Sequence, residues 1–219
     1  MGLRRAFAAC GLLASLALPG WTAERPADAF LKRVRAAILQ SQPFRVDFVQ
    51  QVFVDEELTL QESGVIVFAD RERVKWQYLD PEFKVFILEK DRYRFYDREN
   101  NQLLRGRLGE RDRQLVWDLL LSDQPGGAVR WDAKRRTIRL RLDDGSGADA
   151  PVDAGRYGPR ELKVLVGADL LPQRVEQAAE NGVTTVYGFR NYRRRVTLAA
   201  GEFDLDLPAD VEVIEEQGP

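Results

Sequence analysis

The chain of 219 residues contains no histidine and only one cysteine, Cys10. Without histidine there is no imidazole base to activate a serine or cysteine nucleophile. Without a second cysteine there is neither a disulfide nor a thiolate cluster for zinc. Long apolar runs are also missing: beyond residue 18 none approaches the ~20 residues that a helix needs to cross a bilayer. Neither sign of charge prevails, with 33 basic and 35 acidic residues and a formal net charge of −2, so the balance does not favour nucleic acid. No catalytic residue, no metal ligand and no cofactor is expected.

What is present begins with Arg4 and Arg5 before an apolar stretch from Ala6 to Leu18, followed by Pro19-Gly20-Trp21-Thr22-Ala23. This is the charged, apolar and small-residue plan of a secretory signal, and cleavage is expected near Ala23. Cys10 would leave with residues 1–23, and loss of the two arginines takes the net charge to −4. Residues 24–219, with 44% hydrophobic content across the whole chain, are long enough for one large domain. No linker or repeat divides them.

Residues 26–41 carry Phe30, Val34, Ala37, Ile38 and Leu39 at helical spacing, with Pro43 closing the segment, and predict an amphipathic helix. From Phe44 the period changes to two, and runs at 44–50, 58–68, 73–79, 83–89 and 92–97 predict five consecutive strands. Charged or turn-forming groups separate them, such as Asp55-Glu56-Glu57 and Asp80-Pro81-Glu82. A second helix is predicted over 110–122, then strands at 128–132 and 136–142, a long loop over 143–158, and strands at 161–166, 171–177, 184–189 and 203–207. Asn181-Gly182 marks a hairpin turn. The expected fold is mainly β with helices (α+β), an antiparallel sheet built as a meander.

An apolar sheet face must be covered by something, and two helices are thin cover for a sheet of this size. The face predicted to be concave holds Phe44, Phe48, Phe68, Trp76, Tyr78, Phe86, Phe95 and Phe189, with Leu120 on the second helix. Such a lining suits acyl chains, although the same rings would also fill a closed, dry core.

Several blocks, in order along the chain, resemble the periplasmic outer-membrane lipoprotein carrier family, LolA. They are Phe44-Arg45-Val46-Asp47-Phe48-Val49-Gln50, Ser63-Gly64-Val65-Ile66-Val67-Phe68, Val74-Lys75-Trp76-Gln77-Tyr78-Leu79-Asp80-Pro81, Phe95-Tyr96-Asp97, Leu171-Pro172-Gln173-Arg174, Asn181-Gly182-Val183-Thr184-Thr185-Val186-Tyr187 and Phe203-Asp204-Leu205-Asp206-Leu207-Pro208. The resemblance implies a half-open antiparallel β-barrel with a helical lid over an apolar cavity. It also implies transfer of lipoprotein acyl chains from an inner-membrane exporter to an outer-membrane receptor; the signal and the lack of a later spanning run lead to the expectation of a monomer in the periplasm. The family's arginine six residues ahead of the signature tryptophan, linked to lid closure and release, corresponds here to Asp70. Arg71 follows it, and a bulge would let Arg71 take over that role. On the same fold the cargo can instead be another lipid or glycolipid, and a purely protein-binding sensor is a further alternative. An enzyme would have to work through carboxylates such as Asp55, Glu56, Asp80 or Asp97, all in predicted turns beside other charges.

Overall fold

The computed structural model describes residues 25–108, 120–121, 128–141, 159–179 and 181–216. The predicted signal (1–23), most of the predicted second helix and the predicted loop over 143–158 lie outside the described residues.

Helix α1 runs over Pro26–Ser41. Proline in its first turn supplies a preset φ, and Asp28 beside the N-terminus receives the Arg25 guanidinium at 2.8 Å. Leu31, Val34, Ile38 and Ser41 recur at three- and four-residue intervals and form its buried stripe. Twelve strands follow: β1 (Phe44–Val54), β2 (Glu57–Asp70), β3 (Arg73–Asp80), β4 (Lys84–Glu89), β5 (Arg92–Asp97), β6 (Gln102–Arg107), β7 (Val129–Asp132), β8 (Thr137–Arg141), β9 (Pro159–Val166), β10 (Pro172–Ala179), β11 (Val183–Arg194) and β12 (Glu212–Glu215). They form one sheet in the order β12-β6-β5-β4-β3-β2-β1-β11-β10-β9-β8-β7. All neighbours are antiparallel except β12, which runs parallel to β6. The two edges, β12 and β7, do not pair, so the barrel is unclosed.

The turn signals act as their composition predicts. Asp55 and Glu56 take φ of 49° and 69°, two successive left-handed residues that suit the twist of the β1–β2 hairpin. Gly182 has φ of 79°, and the Asn181 side chain accepts from the Val183 amide at 3.2 Å. The Asp55 amide donates to the Gly182 carbonyl at 3.2 Å, joining the two hairpin tips.

Two expectations are corrected. The run over 203–207 is not a strand: no ladder forms there, although Phe203, Leu205 and Leu207 are half-buried and alternate with exposed Asp204 and Asp206. Between β11 and β12 this segment must pass from the middle of the sheet to its edge. On the way Glu202 meets Arg45 of β1 at 2.5 Å and Lys75 of β3 at 3.1 Å, and the Phe203 carbonyl accepts from Arg94 of β5 at 2.9 Å. Arg45, Lys75 and Arg94 all point to the face opposite Phe44, Trp76 and Phe95, so the segment is a strap across the convex side. Val67, Val85, Ile87, Tyr96 and Leu103 stand on that side and are buried, although it would otherwise face water. The second correction is β6, which continues the meander by one strand beyond the five expected.

The core lies on the concave side. Phe44, Val46 and Phe48 alternate inward on β1, and their cross-strand partners Phe68, Ile66 and Gly64 continue the same face. Leu31, Val34 and Ile38 of α1 pack there, together with Val129, Ile138, Leu140, Leu162, Val164 and Val175 from β7–β10. Phe30 stacks on Trp131 of β7, with centroids 3.6 Å apart, which fixes the helix over that half of the sheet.

Candidate functional site

Pairing across the sheet sets side chains in rows. One row reads Phe189, Phe48, Gly64, Tyr78 and Lys84; the next reads Ile66, Trp76, Phe86 and Phe95. Because Gly64 has no side chain, the rings of Phe48 and Tyr78 meet across it edge to face, at 5.1 Å and 89°. A Cβ at Gly64 would overlap the Gln77 carbonyl oxygen, so glycine is also demanded by the close approach of β3.

These rows divide the concave face into two compartments. Under α1 it is sealed: Phe44, Phe48, Phe68, Leu120 and Phe189 are each no more than 5% exposed and belong to the continuous core. Phe44 stacks on Phe68 at 4.9 Å, and Phe48 meets Trp76 edge to face at 5.2 Å. Beyond the helix, over β2–β5 and the facing part of β11, a cavity of about 340 Å³ opens to solvent. Trp76, Tyr78, Phe86 and Phe95 line it, together with Leu60, Glu62, Lys84 and Tyr187. Of the nine residues expected to meet lipid, Tyr78, Phe86 and Phe95 line the open cavity, Trp76, 4% exposed, belongs both to its wall and to the core, and five fill the sealed core behind it.

The four lining residues that the sequence reading missed share the parity of those it found. Glu62 has the register of Ile66 and Phe68, Lys84 that of Phe86, and Tyr187 that of Phe189. Extending each alternation by one step would have placed them on the concave face. Charge hid Glu62 and Lys84, because alternation is normally read from apolar side chains.

The cavity's polar groups are tied to one another. The Lys84 ammonium donates to Glu62 at 3.1 Å and pairs with Glu82 at 2.8 Å, and the Tyr78 hydroxyl donates to the Gln50 side chain at 3.1 Å. The bond to Glu82 raises the Lys84 pKa above its ordinary value; partial burial opposes this and Glu62 reinforces it. Burial pushes the Tyr187 phenol up to about 12, and the Glu62 charge adds to the shift. Tyr78 is raised further by burial, by Tyr187 and by Glu62, so both phenols stay protonated at any working pH. The Trp76 indole nitrogen is buried and has no hydrogen-bond partner among the described residues.

The lid side is pinned by two arginines. Arg35 of α1 donates to the Leu120 carbonyl at 2.9 Å, and Arg71, in the β2–β3 turn, donates to the Leu121 carbonyl at 2.6 Å. Leu120 and Leu121 are helical and buried. Asp70 does not reach this segment; its carboxylate accepts from Arg73 at 2.8 Å and from the Glu72 amide at 2.9 Å. The ladder between β2 and β3 shifts register between Phe68 and Asp70, the bulge that carries Arg71 toward Leu121.

The carboxylates weighed for catalysis do not converge. Asp55 and Glu56 form the first hairpin turn, Asp80 ends β3 opposite Ser63, and Asp97 accepts from the Glu99 and Asn100 amides at 3.0 and 3.3 Å to shape the β5–β6 turn. Among the described residues no group of acids is placed to hold a metal ion. A larger groove of about 700 Å³ lies on the opposite face of β11, between Phe53, Asp55, Arg174 and Glu176, but its walls are charged and lack the run of rings.

No family model matches the chain, and a search of curated proteins finds no match. Among solved structures the fold is similar to that of an uncharacterized conserved protein from Thermus thermophilus, at 16% identity and TM-score 0.54, over 88% of this chain and 100% of that one. A putative outer membrane lipoprotein-sorting protein domain from Vibrio parahaemolyticus overlaps less closely, at 10% identity and TM-score 0.46, over 81% of this chain and 95% of that one. A LolA superfamily protein from Nitrosomonas europaea does so at 11% identity and TM-score 0.41, over 78% and 94%. At these identities the likeness is one of fold. The topology is that of an open half-barrel, a twelve-stranded unclosed sheet with a helix over its concave face, and it shares this fold with the Thermus thermophilus protein.

Proposed function

We propose that the protein is a non-catalytic carrier that holds an acyl chain of a lipoprotein or another lipid in the open half of this barrel. The observation that carries the reading is the aromatic cavity itself: the partly buried rings of Tyr78, Phe86, Phe95 and Tyr187, with the buried Trp76 behind them, line a gap open to solvent that packing alone gives no reason to leave. Its volume equals that of about eleven waters at ~30 Å³ each. A chain that buries about eight methylenes there gains ~6 kcal/mol, at ~0.8 kcal/mol per methylene. That sum is comparable to the ~4–15 kcal/mol lost on association, so the cavity alone would give weak binding.

Tighter binding requires more of the concave face, and the sealed half is the only continuation of the same wall among the described residues. Loading then displaces α1 or the Leu120–Leu121 segment, and the carbonyl bonds from Arg35 and Arg71 are what displacement breaks. This gives two states, empty and pinned, or loaded and released, with the cargo shifting the balance through the area it covers. The signal-like start of the chain supports export and action in the periplasm, and the resemblance of its sequence blocks to the lipoprotein carriers suggests delivery from an inner-membrane exporter to an outer-membrane receptor.

The test is mass spectrometry of whatever extracts into organic solvent from protein purified out of its own cell envelope. An acylated molecule at near one per protein is expected. Lipid-free protein from cells with normal envelope lipids would refute the reading.

A further inference from the structure

Charge is divided between the two ends of the strands. At the end where the cavity opens, the β1–β2 and β3–β4 turns carry Asp55, Glu56, Glu57, Asp80 and Glu82. The other end lies eleven residues of β1 away, roughly 35 Å at ~3.3 Å per residue, and one of its corners is basic. Lys134, Arg135 and Arg136 stand in the β7–β8 turn, and Arg193, Arg194 and Arg195 are at the exit of β11. The β9–β10 turn joins the two triplets. Arg136 donates to the Val166 carbonyl at 3.0 Å and to that of Gly167, and Arg194 meets Asp169 at 2.9 Å. All six basic residues are exposed.

Folding does not account for this concentration. Asp132, Asp47 and Asp169 pair with Arg135, Arg193 and Arg194 at 2.9, 3.1 and 2.9 Å, so six cations face three carboxylates. Exposed pairs of this kind add little stability. The Lys134 ammonium has no partner among the described residues. Arg193 stands directly opposite Arg45 of β1, and like charges facing each other across a ladder destabilise it.

The shape of the corner decides which anion suits it. It spreads over three turns, and neither cavity described above reaches it, so it offers no enclosed seat for a single ion. Guanidinium groups match phosphate oxygens in pairs, and a broad exposed set of them fits a plane of phosphates. The acidic end does not cancel the attraction. At physiological salt the Debye length is ~8 Å, far less than the roughly 35 Å between the two ends.

We propose that this corner docks the protein on an anionic membrane surface through lipid phosphates, turning the acidic, cavity-bearing end away from the bilayer. The cavity then exchanges its contents on the aqueous side, and its mouth does not dip into the lipid. The docking stands apart from the identity of the cargo.

Sedimentation with vesicles of phosphatidylcholine, alone or mixed with phosphatidylglycerol, tests the surface. The protein should sediment with the mixed vesicles, less so as salt rises, and stay in solution with phosphatidylcholine alone. Each basic residue near an anionic surface is worth roughly fivefold in partitioning. Combined Lys134→Gln, Arg135→Gln and Arg193→Gln should therefore weaken binding at least about tenfold while the melting curve stays close to that of the parent. Should the triple variant not fold, Lys134→Gln alone should still weaken binding several-fold. A polarity-sensitive dye on Ala133→Cys should respond to the mixed vesicles, and the same dye on Glu57→Cys should not. Equal binding to both vesicle types, binding to neither, or binding unmoved by the substitutions would overturn the proposal. A response at position 57 in place of 133 would overturn the orientation and with it the proposal. Release from the vesicles by inorganic phosphate, at an ionic strength where sodium chloride releases nothing, would make the corner a seat for a free anion and overturn it equally.

Discussion

Replacing Phe48 and Phe86 separately by alanine distinguishes the sealed compartment from the open one. Phe48 is 1% exposed and meets Trp76 and Tyr78 edge to face at 5.2 and 5.1 Å. Removing its ring leaves a void that neighbouring strands cannot close, and such Phe→Ala changes cost ~3–5 kcal/mol. Against a total stability of ~5–15 kcal/mol this is a large fraction. At ~2–4 °C per kcal/mol for a domain of this size, the melting temperature should fall by roughly 6–20 °C. Phe86 stacks on Tyr93 at 6.0 Å and otherwise faces the cavity, half-buried. Its loss enlarges a space already open to water, so the cost should stay near ~1 kcal/mol, the scale of one exposed aromatic pair. Uptake of a fluorescent acyl probe should behave the other way, with Phe86→Ala weakened several-fold and any Phe48→Ala protein that remains folded binding nearly as well as the parent. Both are read on the same preparations, by thermal unfolding and probe titration. If Phe86→Ala destabilised as much as Phe48→Ala and left uptake intact, the two-compartment description would be wrong.

Further outcomes follow from the lid and the strap. Arg71→Leu removes a charge-assisted bond to the Leu121 carbonyl, worth at most ~1.5–3 kcal/mol and less at an exposed position. The empty, pinned state is thereby weakened, so the variant should retain cargo and deliver it to acceptor vesicles more slowly; transfer at the parental rate would reduce Arg71 to a surface charge. Burial pushes the Glu202 carboxyl up, but Lys75 and Arg45 more than offset this and hold it below its ordinary value of 4.5. The unfolded chain therefore takes up the proton first as pH falls. The clasp's stabilisation is complete above about pH 4.5 and is lost as pH drops toward the folded value. Wild type and Glu202→Gln should accordingly differ in melting temperature at pH 6, and the gap should narrow as pH falls below 4.5; a gap unchanged in acid would mean the charge of Glu202 is not what holds the strap.

Most of this fold was legible in the sequence because its signals are local. Helix α1 is marked by its period and by Pro26 and Pro43, and β1–β5 by alternation between turns such as Asp55-Glu56 and Asp80-Pro81. Strand β6 was missed because Leu103 and Leu104 are adjacent, which breaks the alternation, and because Gly106 reads as a turn. There the glycine is needed for closeness: an added Cβ would lie 3.0 Å from the Tyr93 ring. The run at 203–207 misled for the opposite reason. Phe203, Leu205 and Leu207 alternate because an extended strap presses one side onto the convex face, and period two does not distinguish packing from pairing. The division of the concave face was not legible at all. Phe48 and Phe86 have the same chemistry and the same parity, and only the position of α1 over the β1 side decides which ring is sealed. Arg71 stands between these cases: its offset by one residue from Asp70 and the need for a bulge were readable in the sequence, and the register shift between Phe68 and Asp70 and the bond to the Leu121 carbonyl were found only in the structure.

The proposed acyl chain lies against Trp76, Tyr78, Phe86 and Phe95. Photo-crosslinking with a diazirine-bearing acyl ester, followed by peptide mapping, tests it most directly. Adducts are expected on β3, β4, β5 and the Tyr187 region of β11, suppressed by excess unlabelled ester. Adducts concentrated on the convex groove at Phe53 and Arg174, or labelling that excess ester does not displace, would contradict it.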